Sequence, residues 1–374
     1  MIPRAYQPLE NQLVKGKVLV IYGPRRVGKS TLLSNFLSTT KLKYRLDSGD
    51  NIETQRLVGS QNIKTIEQYC AGYELIIIDE AQNIPDIGKG LKIMVDHFPD
   101  LIVIATGSSS FDLSNKVGEP LVGRQRILKL YPISQKDLNI ELNTYDLRQN
   151  LENYMVFGSY PEVLTTKNNR DKIEYLHQLI NSYLLKDILA LENIKSPRLL
   201  QDLLRLLAYQ LGSEVSFNEL ATQLKIDVKT VGRYLDLLEK TFIIISLGGL
   251  SRNLRTEVTS KKKYFFLDCG VRNAIINNFN SLATRNDVGQ LWENFIFMER
   301  VKKKHYDKIY TNDYFWRTYS QKEIDLIEER DGKLFGFEFK WTDKKYKVPK
   351  EWIAAYPGNE VTLYTKENYL ELIL

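Results

Sequence analysis

The sequence predicts an α/β fold: a parallel sheet carrying a phosphate-binding loop, followed by a helical segment, a helix–turn–helix with a strand hairpin, and a second, smaller α/β part. Three observations predict it. Val18-Leu-Val-Ile-Tyr22 runs directly into Gly23-Pro-Arg-Arg-Val-Gly28-Lys29-Ser30-Thr31 and then into the helical spacing of Leu32, Leu33, Phe36 and Leu37. Two more apolar runs, 75–78 and 101–105, end in polar residues. Further strand patterns recur near 314–319, 323–327 and 334–340. Short apolar runs bounded by polar residues mark strands buried on both faces, as parallel strands are.

Composition narrows the class. A chain of 374 residues holds about two to three domains at roughly 150 residues each. Hydrophobic residues at 43% and charged residues at 26% exclude disordered and fibrous chains. Lys+Arg 52 against Asp+Glu 46 leaves +6, a dilute excess that permits a nucleic-acid partner without requiring one. Only Cys70 and Cys269 are present, too few for a disulfide framework or a cysteine-rich zinc site, which fits a reducing cytosol. No apolar run reaches membrane-spanning length and residues 1–10 carry no signal-peptide core, so no membrane association and a cytoplasmic location are expected.

The loop matches G-x-x-x-x-G-K-[ST] in the strand–loop–helix context that gives the motif meaning. Gly23 and Gly28 let backbone N–H groups approach phosphates; Pro24, Arg25, Arg26 and Val27 complete the loop and Thr31 closes it. The helix start adds positive potential. Lys29 is expected to reach the β- and γ-phosphates of ATP, and Ser30 to ligate Mg2+. Asp79 and Glu80 end the strand 75–78, at the carboxyl edge where α/β sheets bind ligands. Asp79 suits the Mg2+ shell, and Glu80 suits the base that polarises the attacking water. Thr106 and Ser108 are candidates to orient that water, or belong to a hydroxyl-rich turn. Arg124, before the alternating run 127–131, is a candidate finger acting on a neighbouring subunit's γ-phosphate, or a solvated charge.

These residues carry a resemblance. Gly-Pro-Arg-x-Val-Gly-Lys-Ser-Thr at 23–31, Ile-Ile-Asp-Glu-Ala-Gln at 77–82 and Thr-Gly-Ser-Ser at 106–109 resemble a family of prokaryotic AAA-type P-loop ATPases that join the ATPase to a C-terminal region of unassigned function. The likeness continues through Phe157-Gly-Ser-Tyr-Pro-Glu162, where Ser159 replaces the family's second glycine. It also includes Tyr183-Leu-Leu-Lys186-Asp187-Ile188, where Lys186 stands at the family's arginine position. Lysine and arginine differ in fork geometry. The resemblance implies ATP hydrolysis and assembly of the chain with copies of itself, a hexameric ring being one form.

The core is expected over residues 1–150 and a helical lid or connector over 151–211. Residues 212–280 read as a winged helix: two short helices around the turn at Ile226-Asp227, then two strands. Lys229, Thr230, Arg233 and Tyr234 fall on the second helix, and Arg252, Arg255, Lys261, Lys262 and Lys263 between or on the strands. These are the candidate DNA contacts, expected to be sequence-independent and weakened by salt. The alternative is a protein-binding module with a solvated basic loop.

Over residues 281–374, Asp325, twelve residues and then Glu338-x-Lys340 resemble the restriction-endonuclease-like fold. That resemblance implies a second Mg2+ held by Asp325 and Glu338, with Lys340 acting on the nucleophile and Glu293 adding a ligand. Lys344, Lys345, Lys347 and Lys350 follow as backbone-phosphate contacts or an ordinary lysine-rich loop. The leading expectation is an ATP-hydrolysing, ring-forming ATPase that binds and remodels or translocates on DNA, branched forms included. The alternatives are an ATP-gated, metal-dependent DNA nuclease and a nucleotide switch that binds a protein partner.

Overall fold

The computed structural model describes residues 2–107, 121–184, 196–251, 261–318, 320–342 and 346–374. They form two compact units: Arg4–Pro132 with Lys240–Phe242, and Met1–Pro3, Ile133–Glu239 with Ile243–Leu374.

The first unit is a parallel sheet of β1 (Val18–Tyr22), β2 (Tyr44–Ser48), β3 (Leu75–Asp79), β4 (Ile102–Gly107) and β5 (Gln125–Lys129), with α1 (Lys29–Thr39), α2 (Ile52–Val58), α3 (Ile63–Cys70) and α4 (Ile87–His97) between strands. The strand order is β2-β3-β4-β1-β5. All pairs are parallel. Val18, Val20, Ile76, Ile78 and Val103 bury one sheet face with Leu91 and Met94 of α4. The branched side chains suit a pleated surface covered on both sides. β2 escapes an apolar-run reading because it is an edge strand, with Tyr44 and Leu46 exposed. This order brings the ends of β1, β4 and β3 to one carboxyl edge.

In the second unit, α5 (Gln135–Leu138), α6 (Thr144–Gln149), α7 (Leu151–Phe157), α8 (Pro161–Thr165), α9 (Asn169–Gln178) and α10 (Pro197–Tyr209) precede β6 (Glu214–Val215). Then come α11 (Phe217–Leu224), α12 (Val228–Lys240), β7 (Ile244–Gly249), β8 (Lys262–Phe266), α13 (Cys269–Ile275) and the long α14 (Val288–Asp307). β9 (Asn312–Arg317), β10 (Glu323–Arg330), β11 (Lys333–Phe339), α15 (Lys350–Ala355), β12 (Val361–Tyr364) and α16 (Leu370–Ile373) complete it.

The strands form one sheet, β12-β11-β10-β9-β7-β8-β6. Gly248 and Gly249 of β7 pair in parallel with Tyr314 and Phe315 of β9, so the hairpin after the helix–turn–helix and the C-terminal strands share a ladder. The first unit's main segment ends at Pro132.

Gly158 and Asp268 show how a short motif enters this unit. The Asp268 carboxylate accepts from the Ser159 N–H at 2.7 Å and from the Val271 N–H at 3.1 Å, capping α13. Gly158 has φ 78°, and a Cβ there would lie 2.0 Å from Asp268 Oδ1. Glycine is needed at 158 on both counts, whereas Ser159 uses its N–H and its hydroxyl, which donates to Asp268 Oδ2 at 3.3 Å and accepts from Lys302 at 3.4 Å. Cys70 and Cys269 are free and buried. No described helix is long and apolar enough to cross a membrane.

Candidate nucleotide site and a buried carboxylate cluster

The loop after β1 is shaped by its glycines. A Cβ at Gly23 would meet the Leu130 carbonyl oxygen at 2.0 Å, so only glycine allows the turn. Gly28 caps α1 at φ 95° and contributes no side-chain capping bond, leaving the first-turn N–H groups for phosphate oxygens. Arg26 sits at φ 66°. Arg4 braces the loop from outside, donating to the Val27 carbonyl and, at 2.9 Å, to the Tyr131 carbonyl. Arg4 stands far from the motif and carries no local signal.

Lys29 is buried, and its Nζ donates to the Gly23 and Pro24 carbonyls at 2.9 and 3.0 Å. The ammonium is thus held inside the loop curve. Across the edge, Ser30 Oγ donates to Asp79 Oδ2 at 3.2 Å. A hydroxyl and a carboxylate this close fit the hard-oxygen preference of Mg2+. Thr106 is fully buried and donates to Asp79 Oδ1, fixing the carboxylate from β4. Its hydroxyl is therefore engaged with Asp79 instead of facing an attacking water. Ser108 lies outside the described residues. Glu80 adopts φ 50°, ψ 41°, a left-handed conformation costly for a non-glycine residue. Its N–H donates to Asp79 Oδ1 at 3.1 Å and Thr106 Oγ1 at 3.2 Å, and Gln82 donates to its carboxylate. The strain is held where the base is expected.

Arg124 precedes β5 and is ion-paired with Asp96 of α4. Val18, at the start of β1, donates to its carbonyl at 2.8 Å. It therefore sits one strand length, roughly 17 Å, from its own phosphate loop and cannot serve that loop in cis.

Among the expected DNA contacts, Lys229 and Arg233 are exposed one helical turn apart on α12. Thr230 is committed to the helix start: its N–H and hydroxyl donate to Asp227 at 2.8 and 2.7 Å. Tyr234 is buried, which corrects its reading as a groove contact. Lys261 is exposed and Lys262 half-buried, while Arg252 and Arg255 lie outside the described residues. Lys186, Lys344 and Lys345 do as well.

Lys263 is a correction. Its side chain is 1% exposed and cannot touch DNA. Within β8, between β7 and β6, it is buried, and its Nζ donates to Glu293 Oε1 at 2.8 Å and pairs with Glu323. It belongs to the group expected around a second Mg2+. Leu326 pairs with Phe337, so the next residues outward, Asp325 and Glu338, oppose each other. Asp325 Oδ2 accepts the Phe339 N–H at 2.8 Å, and Lys340 Nζ lies 2.6 Å from Glu338 Oε1. Glu293, Asp325, Glu338 and Lys340, expected together around a metal, are joined here by Lys263 and Glu323, whose only signal is being charged at inward strand positions.

Burial pushes the Glu293 carboxyl up to about 8, against the pull of Lys263 and with the push of Asp325. Burial and the facing Asp325 likewise push Glu338 up to about 7. A raised carboxyl withholds its stability as pH climbs. The unfolded chain releases the proton near the ordinary value of 4.5, while the folded chain keeps it until about 7. Stability contributed by Glu338 is complete below pH 4.5 and falls across that window. Urea midpoints followed with pH should therefore drop less in Glu338→Gln than in the parent; equal drops would refute this.

Comparison with known proteins gives the domains. Residues 15–139 match an AAA domain, 148–282 a domain of unknown function (DUF8612) and 288–372 another domain of unknown function (DUF4143). These boundaries fall near 150 and 280, whereas the compact units divide at 132.

An uncharacterized protein of Mycobacterium tuberculosis is 26% identical over 339 residues, covering 89% of this chain and 72% of its own. One from Haemophilus influenzae is 24% identical over 378 residues, covering 96% and 88%. One from Methanocaldococcus jannaschii is 24% identical over 314 residues, covering 78% and 68%. Among solved structures, a Thermotoga maritima RuvB mutant aligns with 61% of this chain and 82% of its own, at 16% identity and TM-score 0.31. Replication initiator DnaA bound to AMPPCP and single-stranded DNA aligns over 63% and 86%, at 17% identity and TM-score 0.29. The chain carries an AAA domain of the P-loop ATPase class followed by a C-terminal DUF4143 domain, a combination whose relatives in bacteria and archaea are uncharacterized proteins.

Proposed function

We propose that the chain hydrolyses ATP and couples the cycle to DNA. The observation that carries the ATPase reading is the meeting of Ser30 with Asp79 at 3.2 Å beside the looped-in Lys29, with Glu80 next along. Ser30 and Asp79 would hold Mg2+, which supplies charge neutralisation at the β- and γ-phosphates. The N–H groups behind Gly28 bind the phosphates, Lys29 moves from the loop carbonyls to them, and a Glu80 carboxylate oxygen takes the proton of the attacking water. Gln82 and the backbone bonds at Glu80 hold that carboxylate in position.

The DNA reading is supported by the helix–turn–helix with exposed Lys229 and Arg233, followed by a hairpin bearing exposed Lys261. This is the outline of a winged helix. The contacts are to phosphates, so affinity falls with salt. Lys229→Ala and Arg233→Ala should each weaken binding of unrelated duplexes alike and reduce the salt slope by about 1. ATP turnover should rise with duplex, single-stranded or branched DNA. A turnover blind to every form would remove DNA from the proposal while leaving the ATPase.

The proposal includes self-assembly, in which Arg124 serves a neighbour's nucleotide. Sedimentation with ATP should show a species larger than the monomer; a monomer at every concentration refutes the ring.

A further inference from the structure

The carboxylates expected around a second divalent metal do not form a metal centre. Among the described residues, no three His, Cys, Asp or Glu side chains are grouped to hold a metal ion. We propose that Lys263 is the built-in cation of this cluster, filling the place between the helix carboxylate and the strand carboxylates, and that it keeps the centre metal-free while β8 stays in register.

The lysine is held on every side. Its backbone lies between two strands, opposite Leu247 of β7 and Glu214 of β6. Its Nζ is 2.8 Å from Glu293 Oε1, contacts Glu323 and sits 5.5 Å from the centre of the Phe315 ring. Glu293, the helix-borne ligand that a metal would need, is fixed in turn. One oxygen is on Lys263, and the other packs so closely on Gly212, at φ 71°, that a Cβ there would lie 2.7 Å away. Glu293 cannot turn toward Asp325 and Glu338 without abandoning both neighbours.

Charge makes the same case. Glu293, Glu323, Asp325 and Glu338 face the ammoniums of Lys263 and Lys340, with the Arg317 guanidinium 3.7 Å from Glu323. A dication entering beside a buried ammonium meets repulsion that this poorly screened setting does little to weaken. Removing the ammonium instead leaves several carboxylates around an uncompensated space, which attracts a hard dication. Lys263 also lies in the hairpin that follows the helix–turn–helix. β8 is paired on both sides, with β7 and with β6, so the ammonium cannot leave the cluster without a ladder being broken.

The test is Mn2+ titration of the full chain without nucleotide, followed by electron paramagnetic resonance, with Asp325→Asn separating this cluster from the phosphate loop. The parent should show no Mn2+ signal that depends on Asp325. Lys263→Met should gain a single site that Asp325→Asn abolishes, and its melting temperature should rise with Mn2+. Lys263→Arg, which keeps the charge, should remain metal-free. If Lys263→Met does not fold, Lys263→Met with Glu323→Gln removes the carboxylate left bare and is read in the same way. An Asp325-dependent Mn2+ site in the parent overturns the proposal whatever the variants do. So does a folded lysine-free variant that binds no more Mn2+ than the parent.

Discussion

Glu80→Gln should bind ATP as the parent does and hydrolyse it at least about 100-fold more slowly. The amide keeps the shape and can still accept from Gln82, but it cannot take a proton from water. The φ of 50° at this residue makes the expectation sharper. A strained backbone is retained where surrounding bonds over-determine it, here the two acceptors of the Glu80 N–H. Lys29→Ala should fail differently, losing nucleotide affinity together with turnover, because a donor to the phosphates is gone. Fluorescent-nucleotide binding beside phosphate release separates the two. Near-parental turnover in Glu80→Gln would remove it as the base and direct attention to Ser108.

Arg300→Met should destabilise the second unit by about 3–5 kcal/mol. Arg300 lies on α14 and grips Glu328 of β10 with two bonds of 2.7 Å, while a third donates to the Leu372 carbonyl at 3.0 Å. Glu328 is fully buried. The pair costs desolvation on both sides, so its net worth is modest. Deleting one partner leaves a carboxylate indoors, with Lys304 at 3.3 Å as the remaining cation among the described residues. Arg300→Met with Glu328→Leu should recover most of the loss, because no charge then remains unmatched. Urea unfolding of both variants checks this. A double variant as unstable as the single one would show that packing, not charge, sets the cost.

How much was legible follows from how far each signal travels along the chain. The phosphate loop is a contiguous string with its strand and helix attached, and the structure puts Lys29 and Ser30 at the start of α1. Asp79 and Glu80 were readable because an apolar strand delivers whatever follows it to the carboxyl edge. Edge strand β2 was not, because half-exposed residues show no apolar run. The Asp325, Glu338 and Lys340 spacing was readable for the same reason as the loop: strand period and hairpin register are local rules.

Lys263 shows where local rules end. In the sequence it is the last of three consecutive lysines beside a basic loop, and the charge pattern assigns all three to solvent. The strand's start decides otherwise: Lys261 lies just before β8 and is exposed, while Lys263 lies within it, paired on both sides, and is buried. What it meets inside, Glu293 and Glu323, comes from 30 and more residues away. The pairing of β7 with β9 within one sheet is equally non-local.

By itself the sequence determined the P-loop class, the loop between β1 and α1 and the two helices around Asp227, because each is written in neighbouring residues whose backbone chemistry is self-contained. Only the tertiary structure decided which lysines face water, which carboxylates share a buried charge and that the last two segments are one body. Those outcomes depend on burial and on distances between residues remote in the chain, and a change of partner alters a charged group's energy by more than its own identity does.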